Sequence, residues 1–180
     1  MLGELQNVDG RYQLRFRRTL PHPPEKVWRA LTEPEHLRAW FPADIEGERA
    51  EGARLHFVFR NDEEEPGDGE MRVYDPPSVL EFSWDAELIR FELEAEGDGA
   101  GTVLTFVHAF DELGKAARDA AGWHACLDVL GHELAGEEPP GSAVERWEQV
   151  HAEYVERLGP EASTIGPPES AMKTMEEGRT

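Results

Sequence analysis

The sequence predicts an α+β domain in which a curved antiparallel sheet wraps around a long C-terminal helix, with two short helices after the first strand. Three observations predict it. Between residues 11 and 108, short runs alternate apolar and polar side chains in the period of half-buried strands. From Pro21 to Phe41 that alternation gives way to prolines followed by helically spaced apolar residues. From Asp111 to Gly136, Ala116, Ala120, Trp123, Leu127, Leu130 and Leu134 recur at steps of four and three, which places them on one helix face. That stripe needs a surface to cover, and the strands before it supply one.

Residues 1–10 carry no periodic pattern and read as an N-terminal lead. Arg11 to Leu20 is the first strand, with Tyr12, Leu14, Phe16 and Arg18 on one side. Pro21, Pro23 and Pro24 stop it, and Glu25 to Leu31 forms a helix whose first turn tolerates proline. Pro34 opens a second short helix carrying Leu37, Trp40 and Phe41. Ile45 belongs to a short strand; Leu55, Phe57 and Phe59 alternate clearly. Asn61 to Gly69, acidic and glycine-bearing, reads as a mobile hairpin loop. Met71 and Val73 are the next inward pair, followed by Leu80, Phe82 and Trp84, then Ile89, Phe91 and Leu93, then Leu104, Phe106 and His108. Five or six strands with short connections imply an antiparallel meander. The helix-bearing domain spans residues 11–136. Residues 137–158 read as a linker and an appended amphipathic helix, with Ser142 and Glu145 as a capping box and Val144, Trp147, Val150 or His151, Tyr154 and Leu158 on its apolar face. Residues 159–180 show no periodicity and read as a disordered tail.

Composition excludes several functions. A formal net charge of -20 repels phosphate backbones and anionic membranes, so nucleic acid is not an expected partner. Cys126 is the one cysteine, which rules out an intrachain disulfide and a cysteine-based zinc cluster. The start is neither basic nor followed by an apolar stretch, and no run of 18 apolar residues occurs, so a cytoplasmic protein without membrane insertion is expected. No P-loop, dinucleotide fingerprint or nucleophile elbow appears, and no cofactor is called for.

Several words of the sequence, in their order, carry a resemblance: Pro24-Glu25-Lys26-Val27-Trp28-Arg29-Ala30-Leu31-Thr32, Trp40-Phe41, Tyr74-Asp75-Pro76-Pro77, Phe82-Ser83-Trp84, Gly101-Thr102 leading to His108, and Ala121-Gly122-Trp123. Together they resemble the SRPBCC (START-like) superfamily, in its bacterial branch related to the C-terminal domain of the activator of heat-shock protein 90 ATPase. The resemblance covers about residues 11–136. It implies a helix-grip fold with a cavity between sheet and long helix, in which members hold lipids, sterols, flavonoids or polyketides. The co-chaperone activity of the eukaryotic namesakes is not carried over, because these residues supply one domain and those proteins use an additional one.

A cavity under the helix would be lined by Phe57, Phe59, Val73, Phe82, Trp84, Phe91, Phe106, His108, Trp123 and Leu127, with Trp40 and Phe41 near its mouth. Such an apolar, aromatic lining suits a small-molecule site, and it equally suits an ordinary packed core. His108 points inward near a strand end. It is either the polar anchor of a ligand, an acid or base, or a structural histidine bonded to a neighbour. His108 and His124 lack a placed carboxylate or thiolate beside them, so no metal is expected. The carboxylates Glu81, Glu92 and Glu94 fall on the outward side of their strands. The reading that follows is non-catalytic binding of a small apolar or aromatic ligand, such as a lipid, flavonoid or polyketide-like molecule. The alternatives are a protein-binding regulatory module using the acidic surface and appended helix, and a cyclase- or dehydratase-type enzyme using His108.

Overall fold

A computed structural model of the chain describes residues 1–60, 65–141 and 143–167, leaving out the side chains of residues 143 and 144. Part of the acidic loop, the Ser142 half of the expected capping box, Val144 of the expected helix face and the tail beyond residue 167 lie outside the described residues.

Eight strands run β1 (Glu4–Val8), β2 (Arg11–Leu20), β3 (Ala43–Glu46), β4 (Arg54–Phe59), β5 (Gly67–Asp75), β6 (Val79–Trp84), β7 (Glu87–Glu96) and β8 (Gly101–Phe110). Helices α1 (Pro24–Thr32) and α2 (Pro34–Trp40) follow β2, α3 (Ala116–Ala135) follows β8, and α4 (Ala143–Leu158) follows α3. The sheet order is β1-β2-β8-β7-β6-β5-β4-β3, antiparallel at every pairing, so one crossover through α1 and α2 carries the chain from β2 to the far edge. This is the expected helix-grip arrangement, with β1 added to the strand segments read from the alternation.

The added β1 and the early start of β5 have identifiable causes. β1 is short and mostly exposed, and pairs with β2 across a tight turn in which Asp9 and Gly10 have positive φ. An exposed edge strand has no buried face to impose alternation. β5 begins inside the stretch read as loop because Gly67 and Gly69 are strand glycines of close approach. A Cβ at Gly69 would lie 1.9 Å from the Ser83 carbonyl oxygen, and one at Gly67 would lie 2.6 Å from Trp84 Nε1.

Val73 does not face inward. A bulge between Met71 and Val73 shifts the register, so Val73 lies opposite Glu81 on the outer face and Tyr74 lies opposite Leu80 on the inner one. Tyr74 accordingly packs against Trp28 of α1, with ring centroids 5.4 Å apart.

α3 lies across the concave face with Ala116, Ala120, Trp123, Leu127, Leu130 and Leu134 buried, and ends at Gly136 in the left-handed conformation (φ 70°). That cap lets the Glu137 N–H reach the His132 carbonyl at 2.9 Å. α4 packs beside α3, burying Val150 and Tyr154. Tyr154 reaches Phe16 of β2 and accepts a hydrogen bond from the Gly3 N–H at 2.7 Å, tying the N-terminal residues to the C-terminal helix. The chain then turns back. Pro160–Ser163 forms a 3-10 turn with Ala162 buried, and the Ile165 N–H donates to the Gly114 carbonyl at 3.0 Å. The first residues of the expected tail are therefore packed, against a site where a Cβ on Gly114 would collide with Thr164 Oγ1 at 2.1 Å.

Candidate functional site

The inward aromatic side chains form one continuous packed set. Trp84 stacks on Phe57 at 4.5 Å and 9°; Phe57 meets Phe82 at 5.7 Å, Phe82 meets Phe91 at 6.4 Å, and Phe91 meets Phe106 at 5.0 Å. Trp123 of α3 closes the set against Phe106 at 4.8 Å and Phe41 at 5.6 Å. Aromatic pairs at these separations attract beyond the area they bury. Phe57, Phe82, Phe91 and Phe106 are thus core. So are Trp40 and Phe41, expected at a mouth: they are 4% and 1% exposed, and Trp40 Nε1 donates to the Ala30 carbonyl at 2.9 Å to hold α2 against α1.

Open space survives at one end, where the β6–β7 turn faces the first half of α3. A cleft of about 580 Å³ is lined there by Phe59, Trp84 and Trp123, by Gly122 and Cys126 of α3, by Trp147 of α4, and by a charged group of Glu87, Lys115, Arg118 and Asp119 beside His108. Of the candidates read from the sequence, Phe59, Trp84, His108 and Trp123 meet here. Leu127 instead lines a separate space on the other side of α3.

His108 is 2% exposed and fully bonded. Trp123 Nε1 donates to its Nδ1 at 3.1 Å, so the ring carries its proton on Nε2, which donates to Glu87 at 2.5 Å. Lys115 bridges Glu87 and Asp119, the latter at 2.9 Å, and Arg118 Nε donates to Asp119 at 2.8 Å. An imidazole has two hydrogen-bonding atoms and both are used, so His108 orients its neighbours and leaves no atom for a ligand.

Burial opposes ionisation of Glu87, but the hydrogen bonds from His108 and Lys115 and the Lys115 charge outweigh it and hold the carboxyl at about 2. Burial likewise works against the Lys115 charge, and Asp119 and Glu87 overcome it, raising the ammonium above its ordinary value. Glu87, His108 and Asp119 are near enough together to share a cation. The Lys115 ammonium already lies between the two carboxylates, and a metal ion would have to displace it. Cys126, beside the cleft, has its thiol pushed up to about 12 by burial, which makes it a poor nucleophile.

Glu87 was the residue that strand parity could have found. It stands two positions before Ile89 on the same inward face, once β7 is allowed to start at the turn. Lys115 and Asp119 are an i,i+4 pair just ahead of the apolar stripe.

With the cleft's geometry in view, comparison with known proteins gives the lineage. Residues 21–135, more than half of the chain, match the family described as Activator of Hsp90 ATPase homolog 1-like protein. The chain belongs to that family, within the SRPBCC superfamily. No curated protein matches the chain. Among solved structures, this member of the activator-like family is similar to CalU16 from Micromonospora echinospora, with 21% identity over 87% of this chain and 95% of that one, and a TM-score of 0.67. It is similar to a conserved protein of unknown function from Enterococcus faecalis at 25% identity, over 87% and 90% of the two chains, with a TM-score of 0.68. The Aha1 dimer from Colwellia psychrerythraea aligns at 22% identity over 68% of this chain and 95% of its own, with a TM-score of 0.58. At these identities CalU16 and the Aha1 dimer speak for the fold alone. Among the described residues, no helix is long and apolar enough to cross a membrane.

Proposed function

We propose that this family member binds a small molecule with an apolar or aromatic body, of lipid, flavonoid or polyketide-like kind, in the cleft between the β6–β7 end of the sheet and α3, without transforming it. Binding of hydrophobic ligands is typical of the SRPBCC superfamily. The observation that carries the reading is the cleft itself, a space of about 580 Å³ walled by Trp84, Trp123 and Phe59 and charged at one end. That volume and that mixture suit a ligand of drug-like size.

The state of the charged end supports binding over catalysis. General acids and bases work best with pKa values near the operating pH. Glu87 is displaced downward by His108 and Lys115, and Lys115 upward by Asp119 and Glu87, so both stay charged. With His108 saturated, a ligand hydroxyl or carbonyl meets Lys115 and Glu87 at the cleft's edge, and the anchoring role expected of His108 passes to them.

Gly122 provides the test. A Cβ there meets nothing within 4 Å, so a large side chain grows into the cleft without disturbing the core. Native mass spectrometry of freshly purified protein, followed by a flavonoid, fatty-acid and polyketide panel, should show a bound compound on wild type and Gly122→Ala that is lost on Gly122→Phe. A compound retained by Gly122→Phe would place binding elsewhere and overturn the reading.

A further inference from the structure

α3 has a second interior glycine. Gly131 stands nine positions after Gly122, which at 3.6 residues per turn puts it on the opposite side of the helix. A Cβ there also meets nothing within 4 Å, so packing does not require glycine at a position where it weakens a helix. What Gly131 borders is a second cleft, of about 590 Å³, between α3, β2, α4 and the 137–141 linker.

Its lining is largely apolar, with Leu20, Leu127, Val129, Pro139 and Pro140 around two guanidinium groups, Arg18 and Arg146. Arg146 takes Asp128, the carboxylate that lies beside both: its Nε and Nη2 donate to Asp128 Oδ2 at 2.9 and 2.5 Å. Arg18 donates through Nη1 to the Met1 carbonyl at 2.8 Å, while its Nη2 lies 3.9 Å from Asp128 Oδ1, too far for a hydrogen bond. Among the described residues, Arg18 Nη2 is a buried side-chain nitrogen with no hydrogen-bond partner. A buried, unmatched donor on a cation is costly, and an anionic acceptor relieves it. Glu137 does not supply one, since it sits exposed at the rim, 3.7 Å from His132.

We propose that this second cleft binds an apolar monocarboxylate, with the carboxylate on Arg18 Nη2 and Arg146 and the hydrocarbon body over Leu20, Leu127 and the linker prolines. Asp128 matches Arg146 and Glu137 faces His132 at the rim, so the Arg18 guanidinium is the positive charge left without a hydrogen-bonded carboxylate among the described residues, which suits a monoanion. In a chain of net charge -20 this is a local exception. The site is independent of the cleft beside His108.

Decanoate and 1-decanol, titrated into the isotopically labelled full chain and followed by amide NMR, test it. Decanoate should shift the Gly131 amide and its neighbours, in wild type and in Gly122→Phe alike, with 1-decanol at least tenfold weaker at Gly131. Arg18→Met, which keeps the aliphatic stem, should weaken decanoate at least tenfold and leave 1-decanol unchanged. If that variant fails to fold, Arg146→Met on a half-exposed residue gives the same readout. Gly131→Phe should abolish decanoate binding, whereas Gly122→Phe, which blocks the first cleft, should not. Absence of binding at millimolar decanoate, shifts centred on Gly122, or indifference to both the arginine and the Gly131 substitutions would each overturn the proposal.

Discussion

Glu87 accepts from His108 and Lys115 at once while two thirds of its side chain is shielded from water. Because its folded pKa, about 2, lies below the ordinary value of 4.5, the folded state gains stability from it above pH 4.5. That gain is lost as pH falls from 4.5 toward 2. Allowing for the part of the side chain in solvent, it amounts to about 1–2 kcal/mol. Glu87→Gln keeps an acceptor for His108 and loses the charge paired with Lys115. Urea-denaturation midpoints should therefore drop for the variant at pH 7 and converge with wild type near pH 2. Equal differences at both pH values would show that the carboxylate's charge is not what matters. At this scale the sequence was legible by parity: His108, Phe106 and Trp84 face inward as alternation requires. Parity failed at Val73, where one bulged residue exchanges the faces, because a bulge leaves no mark in a hydrophobic pattern.

At the scale of the element, α3 was readable from its stripe and its Gly136 stop, and its two interior glycines were not explained by either. Both have open space at the Cβ, so each costs the helix without a packing return. Gly122→Ala should raise stability by about 1 kcal/mol, seen as a melting temperature about 2–4 °C higher for a chain of this length. No change, or a fall, would mean that the glycine relieves a contact with the sheet. The packed aromatic set, by contrast, shows how an inward residue becomes core or lining. Phe57 and Phe106 have ring neighbours on the sheet and are 0% exposed, whereas Trp84 and Phe59, from the same kinds of strand, border the cleft that opens toward the first half of α3. Alternation reports the face of a side chain and is silent on its depth along the helix.

Over the whole molecule, the N-terminal lead, α3 and α4 are joined at one buried point. Tyr154 Oη accepts from Gly3 and contacts His124 Nδ1 at 3.0 Å, and His124 Nε2 lies 3.5 Å from Asp128. Burial lowers the His124 pKa to about 4, with Asp128 opposing and Arg18 and Arg146 assisting. The unfolded chain binds this proton near pH 6.5 and the folded chain does not until about 4. Stability from the neutral ring is therefore complete above pH 6.5 and is lost as pH falls through that window, by about 1–3 kcal/mol. His124→Gln should flatten the stability profile between pH 6.5 and 4 and leave the Glu87-dependent loss at lower pH in place. A wild-type slope retained by His124→Gln would assign the proton elsewhere.

The sequence by itself determined the lineage and the architecture, because both are written in local order: strand alternation, proline-bounded short helices, and a long apolar stripe that must be covered. It also determined which residues turn inward, except where a bulge intervened. Only the tertiary structure decided which inward residues fill the interior and which border open space, because that depends on how closely α3 and α4 pack against each part of the sheet. It alone saturated His108, through a tryptophan fifteen residues later and a glutamate from the neighbouring strand. It alone left Arg18 Nη2 unmatched among the described residues, beside α4. Hydrogen-bond satisfaction is a property of atoms brought together from distant parts of the chain, and no periodicity along the chain records it.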